Sequence, residues 1–510
     1  MLKDGKIWVG NNDKGENISI IPKMAQRHGL ICGATGTGKT VTLKVMAESF
    51  SEMGIPVFIS DVKGDVSGLA SPGIINDKVK SRIDDFNIEE SDFQMRENPV
   101  VLWDLLGEKG IQLRTTISEM GPLLLSRVLD LNELQSGILS IVFKIADDNN
   151  LLLIDTKDLK SMLSYVGDNA DKFAADYGKI SSASIGVITR AVVSLEMAGG
   201  DIFFGEPALN ITDLLSLDNG RGVINILDSS SIINNKQLYS AFMLWLLSEL
   251  FETLPEVGDI DKPKMIFFFD EAHLLFTEAS SVLLDKVEQL VKLIRSKGVG
   301  VYFCTQNPND MTDSVLAQLS NRIEHGLRAY TPKEQKFVKA AAESIRENPD
   351  FDVYDAILNL GTGEAVISFL GEDGIPSVAE KVRILPPRCS FDAIPVDKRD
   401  SIIKSSLLYS KYANAVDPDS AYEFLLRQGE EEAANIAKEK SEKEKNKADE
   451  AAEKARKRTA GKIGNSVAGT VGREVGKTIG GSMFGRFGRT LGGNLGASVG
   501  RGILDTFIKK

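Results

Sequence analysis

Short, nearly continuous apolar runs lie at Leu30–Cys32, Ile55–Ser60, Pro99–Trp103, Gly222–Leu227, Met265–Phe269 and Val299–Cys304. Such runs suit strands buried on both faces, as in a parallel sheet. Between several of them apolar residues recur at helical spacing, as in Val41–Ala47, Leu238–Leu254 and Val282–Lys297. Strand alternating with helix predicts an α/β fold around a mainly parallel sheet. From about Thr116 the alternation stops. Ser118–Leu129, Glu133–Ala146, Thr156–Val166 and Ser181–Met197 are all helical in period, which predicts a helical subdomain inserted into the core.

The pattern divides the chain further. Residues 1–26 hold two strand-like pieces, Lys6–Val9 and Ile18–Ile21, expected as a lead-in hairpin too short to be a domain. The core then covers 27–115 and 220–390, with the helical insertion at 116–219. Glu364–Phe369 and Ser377–Arg383 read as a closing hairpin before Pro386-Pro387. A helical segment at 391–429 leads to 430–460, which is almost all Glu, Lys, Ala and Arg with opposite charges at i,i+4. That composition predicts a solvated helical spacer. In the tail, 461–510, small residues recur nearly every fourth place among apolar and basic ones. Such a stripe suits close backbone packing, and its basic residues suit an anionic surface.

Composition narrows the class. The 510 residues are 42% hydrophobic and 26% charged, enough for a large core and more than one domain. The 3 cysteines, Cys32, Cys304 and Cys389, are far apart and fit neither a metal nor a disulfide spacing, so a reducing compartment is expected. No apolar run is long enough for a membrane span and none opens the chain as a signal peptide, which predicts a cytoplasmic protein. A net charge of −12 argues against a globally basic nucleic-acid binder, while leaving room for a local basic channel.

The chemistry concentrates at strand ends. Gly33 to Thr40, GATGTGKT, satisfies G-x-x-x-x-G-K-[ST] and sits between a strand and a helix. There the glycines free backbone N–H groups to cradle phosphate, and the helix aims its positive dipole end at the same place. The nucleotide-binding set is Gly33, Thr35, Gly36, Thr37, Gly38, Lys39, Thr40 and Val41. Lys39 is expected on the β- and γ-phosphates of ATP and Thr40 on Mg²⁺. The run Met265–Phe269 ends in Asp270-Glu271, read as a magnesium ligand and a general base, with a helix cap as the plainer alternative. Gln306 follows the next strand, where an amide can sense the γ-phosphate or orient water. Asp61–Asp65 ends another strand and reads equally as a ligand edge or a solvated turn. Arg322, Arg328 and Arg295 are candidates for an arginine donated to a neighbouring copy, and nothing in one sequence selects among them.

These segments resemble the HerA/FtsK group of P-loop ATPases, and more narrowly the YjgR-type bacterial family. The resemblance rests on 28–48, 61–70, 114–133, 199–209, 267–276, 294–308 and 319–336, with the glycine-rich basic tail in keeping. It implies a RecA-like core, Lys39 and Thr40 on ATP·Mg²⁺, Asp270 and Glu271 as the Walker B pair, and Gln306 as the polar sensor. It also implies a homo-oligomeric ring, usually hexameric in the group, completed by a neighbour's arginine. HerA proper carries an N-terminal β-barrel that helps it join a nuclease. About 26 residues precede the core here, so a nuclease-linked role is not carried over. The DEAH spelling at 270–273 is shared with two-lobed helicases, but this sequence has one P-loop.

Two functional classes follow. One is an ATP-hydrolysing motor, a DNA translocase or helicase-like ring. The other is an ATP-gated scaffold or membrane-surface assembly factor whose tail contacts a membrane or protein partner. A small-molecule kinase fits poorly, because Glu271 and Gln306 suit activation of water.

Overall fold

The computed structural model describes residues 1–89, 92–230, 236–276 and 281–459. The glycine-rich stripe at 461–510 lies outside them. The chain forms two units. One comprises Met1–Thr115 and Met197–Val416, and the other Thr116–Glu196 with the chain from Asp417.

The first unit is built on a sheet of thirteen strands among the described residues. Its main strands are β1 (Lys6–Asn12), β2 (Asn17–Ile20), β3 (Gly29–Cys32), β4 (Val57–Asp61), β5 (Val100–Asp104), β6 (Ile224–Asp228), β7 (Met265–Phe269), β8 (Val299–Thr305), β9 (Asn321–His325), β10 (Glu364–Ser368) and β11 (Glu380–Ile384). The spatial order is β1-β11-β10-β9-β3-β8-β7-β4-β6-β5, with β2 beside β1. From β9 to β5 every pairing is parallel. β10, β11, β1 and β2 extend the sheet antiparallel. The opening hairpin is therefore part of the main sheet: Gly10 on β1 stands opposite Ile384 on β11, a pairing between opposite ends of the unit that no local pattern announces.

Strands β3, β4, β6, β7 and β8 are buried along their whole length, as their unbroken apolar character requires. Helices α1 (Lys39–Glu52), α2 (Lys236–Thr253) and α3 (Ser281–Ile294) belong to this unit. The core on one face includes Val45, Met46, Phe50, Ile59, Ile226, Phe268 and Tyr302. Arg388 fastens the chain after β11 to α1, with its guanidinium 2.5 Å from Glu52 and its N–H 3.0 Å from Glu48.

The second unit is helical. Ile117–Val128, Glu133–Asp148 and Thr156–Asp168 each start with a capping box, Thr116/Glu119, Asn132/Gln135 and Asp155/Asp158, which satisfies otherwise orphaned N–H groups. Ser182–Leu195 completes the group, and Leu139, Val142, Leu159, Met162, Val166, Ile188 and Val192 are buried among them. Helix α4 (Ala421–Thr459) is anchored at its start, where Asp158 accepts from the Ser420 hydroxyl at 2.6 Å and the Tyr422 N–H at 2.8 Å. Beyond Leu425 its described surface is mostly exposed, as expected of its charge pattern. Among the described residues no single helix is long and apolar enough to cross a membrane.

Candidate active site

Parallel strands all end on one edge of the sheet, and in open α/β sheets ligands bind outside that edge. Here it carries the residues following β3, β8, β7, β4, β6 and β5. The order decides who meets whom. β8 lies between β3 and β7, so Gln306, just past its end, falls between the glycine loop and Asp270-Glu271.

The glycine loop runs from Gly33 into α1. Gly36 and Gly38 have positive φ, +79° and +121°, conformations that glycine adopts without the cost a side chain would bring. The Lys39 ammonium donates to the carbonyls of Gly33 at 2.7 Å and Ala34 at 3.1 Å. Its pKa is lowered by burial and then by the nearby charge of Lys63. Two contacts brace the loop: the Ala34 N–H donates to Gly326 at 3.0 Å, and the Gly363 N–H to Thr37 at 2.9 Å. Thr40 and Val41 are half-buried at the head of α1.

Asp270 and Glu271 are 3% and 5% exposed. One Asp270 oxygen, Oδ2, is buried with no hydrogen-bond partner among the described residues. Burial lifts this carboxyl to about 6, with Lys63 opposing and Glu271 and Asp65 adding to the rise. Glu271 stands in the left-handed backbone region at φ +49°. Its carboxylate is ion-paired with Lys63, accepts from Gln306 Nε2 at 3.2 and 3.5 Å, and lies 3.3 Å from His273 Nδ1. Burial alone would raise its pKa, but Lys63 and Gln306 together hold it below the usual glutamate range. The Gln306 Oε1 in turn accepts from the Thr35 hydroxyl at 3.0 Å, so one amide spans the glycine loop and the acid.

The structure thus brings Thr35, Lys39, Asp270, Glu271 and Gln306 around one place. The arginines stand differently. Arg322, on β9, donates to the Leu316 carbonyl at 2.8 Å from a half-buried position, Arg295 pairs with Asp259 at 3.1 Å, and Arg328 is exposed.

Four neighbours of the site carry no clear signal in the sequence. Lys63 sits in a segment that reads equally as a turn, and its pairing with Glu271 spans 208 positions. Gly363, Glu324 and His325 come from an element without a strong apolar pattern, β9, and from the turn before β10. Asp61 accepts three backbone N–H bonds, from Lys63 at 3.1 Å, Gly64 at 2.7 Å and Val66 at 3.0 Å, and so fixes the turn carrying Lys63. Burial, with Asp65 and Asp270 adding, lifts Asp61 to about 7.

A phosphate loop at the carboxyl edge of a parallel sheet, with the strand β8 set between it and the acidic pair, defines a P-loop ATPase of the HerA/FtsK type. The chain belongs to the Helicase HerA-like C-terminal family, whose model matches residues 6–510. A protein described as the DNA double-strand break repair helicase HerA of Sulfurisphaera tokodaii is 23% identical over 377 residues, covering 72% of this chain and 67% of its own length. The protein of the same description from Sulfolobus acidocaldarius is 22% identical over 359 residues, covering 69% and 65%. The chain therefore spans about two thirds of the length of these relatives. Among solved structures, the bacterial conjugative coupling protein TrwBdeltaN70 superposes with a TM-score of 0.53 at 15% identity, covering 77% of this chain and 92% of its own. The plasmid coupling protein TrwB in complex with ADP and Mg²⁺ gives 0.50 at 17% identity, covering 73% and 88%. These likenesses show the RecA-like fold.

Proposed function

We propose that this chain is an ATP-driven motor that acts on double-stranded DNA as a ring of identical copies, hydrolysing ATP at the carboxyl edge of its sheet. The observation that carries the reading is the Gln306 amide, bonded at once to Thr35 of the glycine loop and to Glu271. A bond from the phosphate cradle to an acid suits a site that positions water against a terminal phosphate. The choice of DNA rests on the names of the relatives, against a chain whose net charge is −12.

The mechanism follows from the residues present. Backbone N–H groups of the glycine loop and the start of α1 take the β- and γ-phosphates, with Lys39 countering their charge. The donor set fits a magnesium ion: the buried Asp270 oxygen that has no partner among the described residues and the Thr40 hydroxyl are hard oxygen ligands, and the ion, when bound, would neutralise phosphate charge. Glu271 takes a proton from water as the water oxygen bonds to the γ-phosphorus. The bond to the bridging oxygen breaks, and its electron pair leaves with ADP. Gln306 holds the carboxylate and, through Thr35, the loop. Arg328, exposed, is the arginine best free to serve a neighbouring copy.

Steady-state ATP hydrolysis by the wild type and by Glu271→Gln, with and without double-stranded DNA at low and moderate salt, tests the reading. The expected result is DNA-accelerated hydrolysis that weakens with salt, and roughly a hundredfold or greater loss in the variant. Hydrolysis indifferent to DNA would sink the DNA motor while leaving the ATPase.

A further inference from the structure

The Glu271 carboxylate is crowded. Lys63 and Gln306 donate to it and between them engage both oxygens, and His273 Nδ1 lies 3.3 Å from the second. A carboxylate so occupied has little lone-pair density left for the proton of a water molecule. Of the three, Lys63 brings a full charge, and it comes from the side facing solvent: its side chain is 40% exposed, that of Glu271 only 6%.

The surroundings make this pair exchangeable. The backbone of the 61–66 turn is pinned by Asp61, so motion is confined to the flexible four-carbon stem of the lysine. Lys39 is held in the glycine loop and Lys63 on Glu271, the two parts that the Gln306 amide joins, so two like charges border the same space and repel. An anion placed between them relieves that repulsion. A γ-phosphate carries more negative charge than a single carboxylate and offers more acceptor oxygens, whereas a diphosphate ends short of it.

We propose that Lys63 detects the γ-phosphate: its ammonium leaves Glu271 for the terminal phosphate of bound ATP, and that exchange unmasks the carboxylate for water. The proposal rests on the ATPase reading of this site. It makes the state of the base depend on whether the nucleotide is a tri- or a diphosphate, with Lys63 the moving part and Gln306 the fixed one.

Equilibrium binding of ADP and of a non-hydrolysable ATP analogue, each with Mg²⁺, tests it in the wild type, Lys63→Met, Glu271→Gln and the double variant, with melting curves to establish that each folds. The expected result is that Lys63→Met weakens the analogue about tenfold or more and leaves ADP within about twofold. Glu271→Gln, which frees the lysine, is expected to bind the analogue several-fold more tightly, and that gain is expected to vanish when Lys63 is also Met. Equal effects on both nucleotides, or a Glu271→Gln gain that survives without Lys63, overturn the exchange while ADP binding upholds the phosphate loop. A wild type that binds neither nucleotide overturns both readings.

Discussion

His325 Nε2 lies 2.8 Å from the hydroxyl of Thr42, so the end of β9 is fastened to the second turn of α1 behind the phosphate loop. The other ring nitrogen, Nδ1, is 2.8 Å from the Glu364 carbonyl and must donate to it, which leaves Nε2 to accept from Thr42. The ring is neutral, its pKa pulled down to about 4, chiefly by burial. Between about pH 6.5 and 4 the unfolded chain binds a proton that the folded ring refuses, so this contribution is lost as pH falls through that window. His325→Ala is expected to cost about 2–3 kcal/mol near neutral pH, measured by denaturant unfolding. Its stability deficit should shrink at pH 5.

Gln306→Ala removes the bridge between loop and acid without touching the phosphate-binding N–H groups. Hydrolysis is expected to fall roughly 10- to 100-fold in kcat with KM for ATP changed only a few-fold. A large rise in KM with kcat intact would place the amide in ground-state binding instead.

Gly33→Ala confronts two obstacles. Its Cβ would sit 2.5 Å from the His325 Cβ, and the residue has φ +155°. The neighbour is a strand residue held at both ring nitrogens, so it cannot give way. A loss of about 2 kcal/mol or more is expected in unfolding experiments, with nucleotide affinity falling alongside.

Glu324 is fully buried on β9 beside the Cys32 thiol, and among the described residues neither carboxylate oxygen accepts an N–H or O–H. Burial lifts its pKa to about 7, against the pull of Arg322. The folded protein therefore keeps a proton between about pH 4.5 and 7 that the unfolded chain has released, and stability falls as pH rises through that range. Glu324→Gln removes the titration. Its unfolding midpoint is expected to match the wild type near pH 5 and to exceed it at pH 8.

The two arginines of the 321–328 segment should separate by assay. Arg322→Ala strips the Leu316 carbonyl of its donor and Glu324 of its cation, and should cost about 2–3 kcal/mol of stability. Arg328→Ala should leave the melting temperature within a degree or two and lower hydrolysis only where copies assemble. Loss of activity at all concentrations would instead mean that Arg328 acts within its own copy.

Legibility follows periodicity. The buried strands, from Leu30–Cys32 to Val299–Cys304, can be read because unbroken apolar runs have few other uses, and the glycine loop because its spacing carries a mechanism. Their sideways order cannot be read. That β8 enters between β3 and β7, and so sets Gln306 between Thr35 and Glu271, is a property of crossovers that composition does not record. β9 hides because Asn321, Arg322, Glu324 and His325 look like a polar loop, although the first and the last two are buried and held by tertiary contacts. Lys63 shows the same limit: an ordinary turn lysine until the fold brings a carboxylate from 208 residues away.

The backbone of Glu271, at φ +49°, bears on how this protein can be engineered. A side chain held in that region costs on the order of 1 kcal/mol that glycine would not. Glycine at 271 would relieve that strain but strip Lys63 and Gln306 of the buried carboxylate they share, a larger loss. A screen for heat resistance will therefore keep a hydrogen-bonding side chain at this codon for reasons unrelated to turnover, and only a hydrolysis readout tells a working base there from an inert substitute.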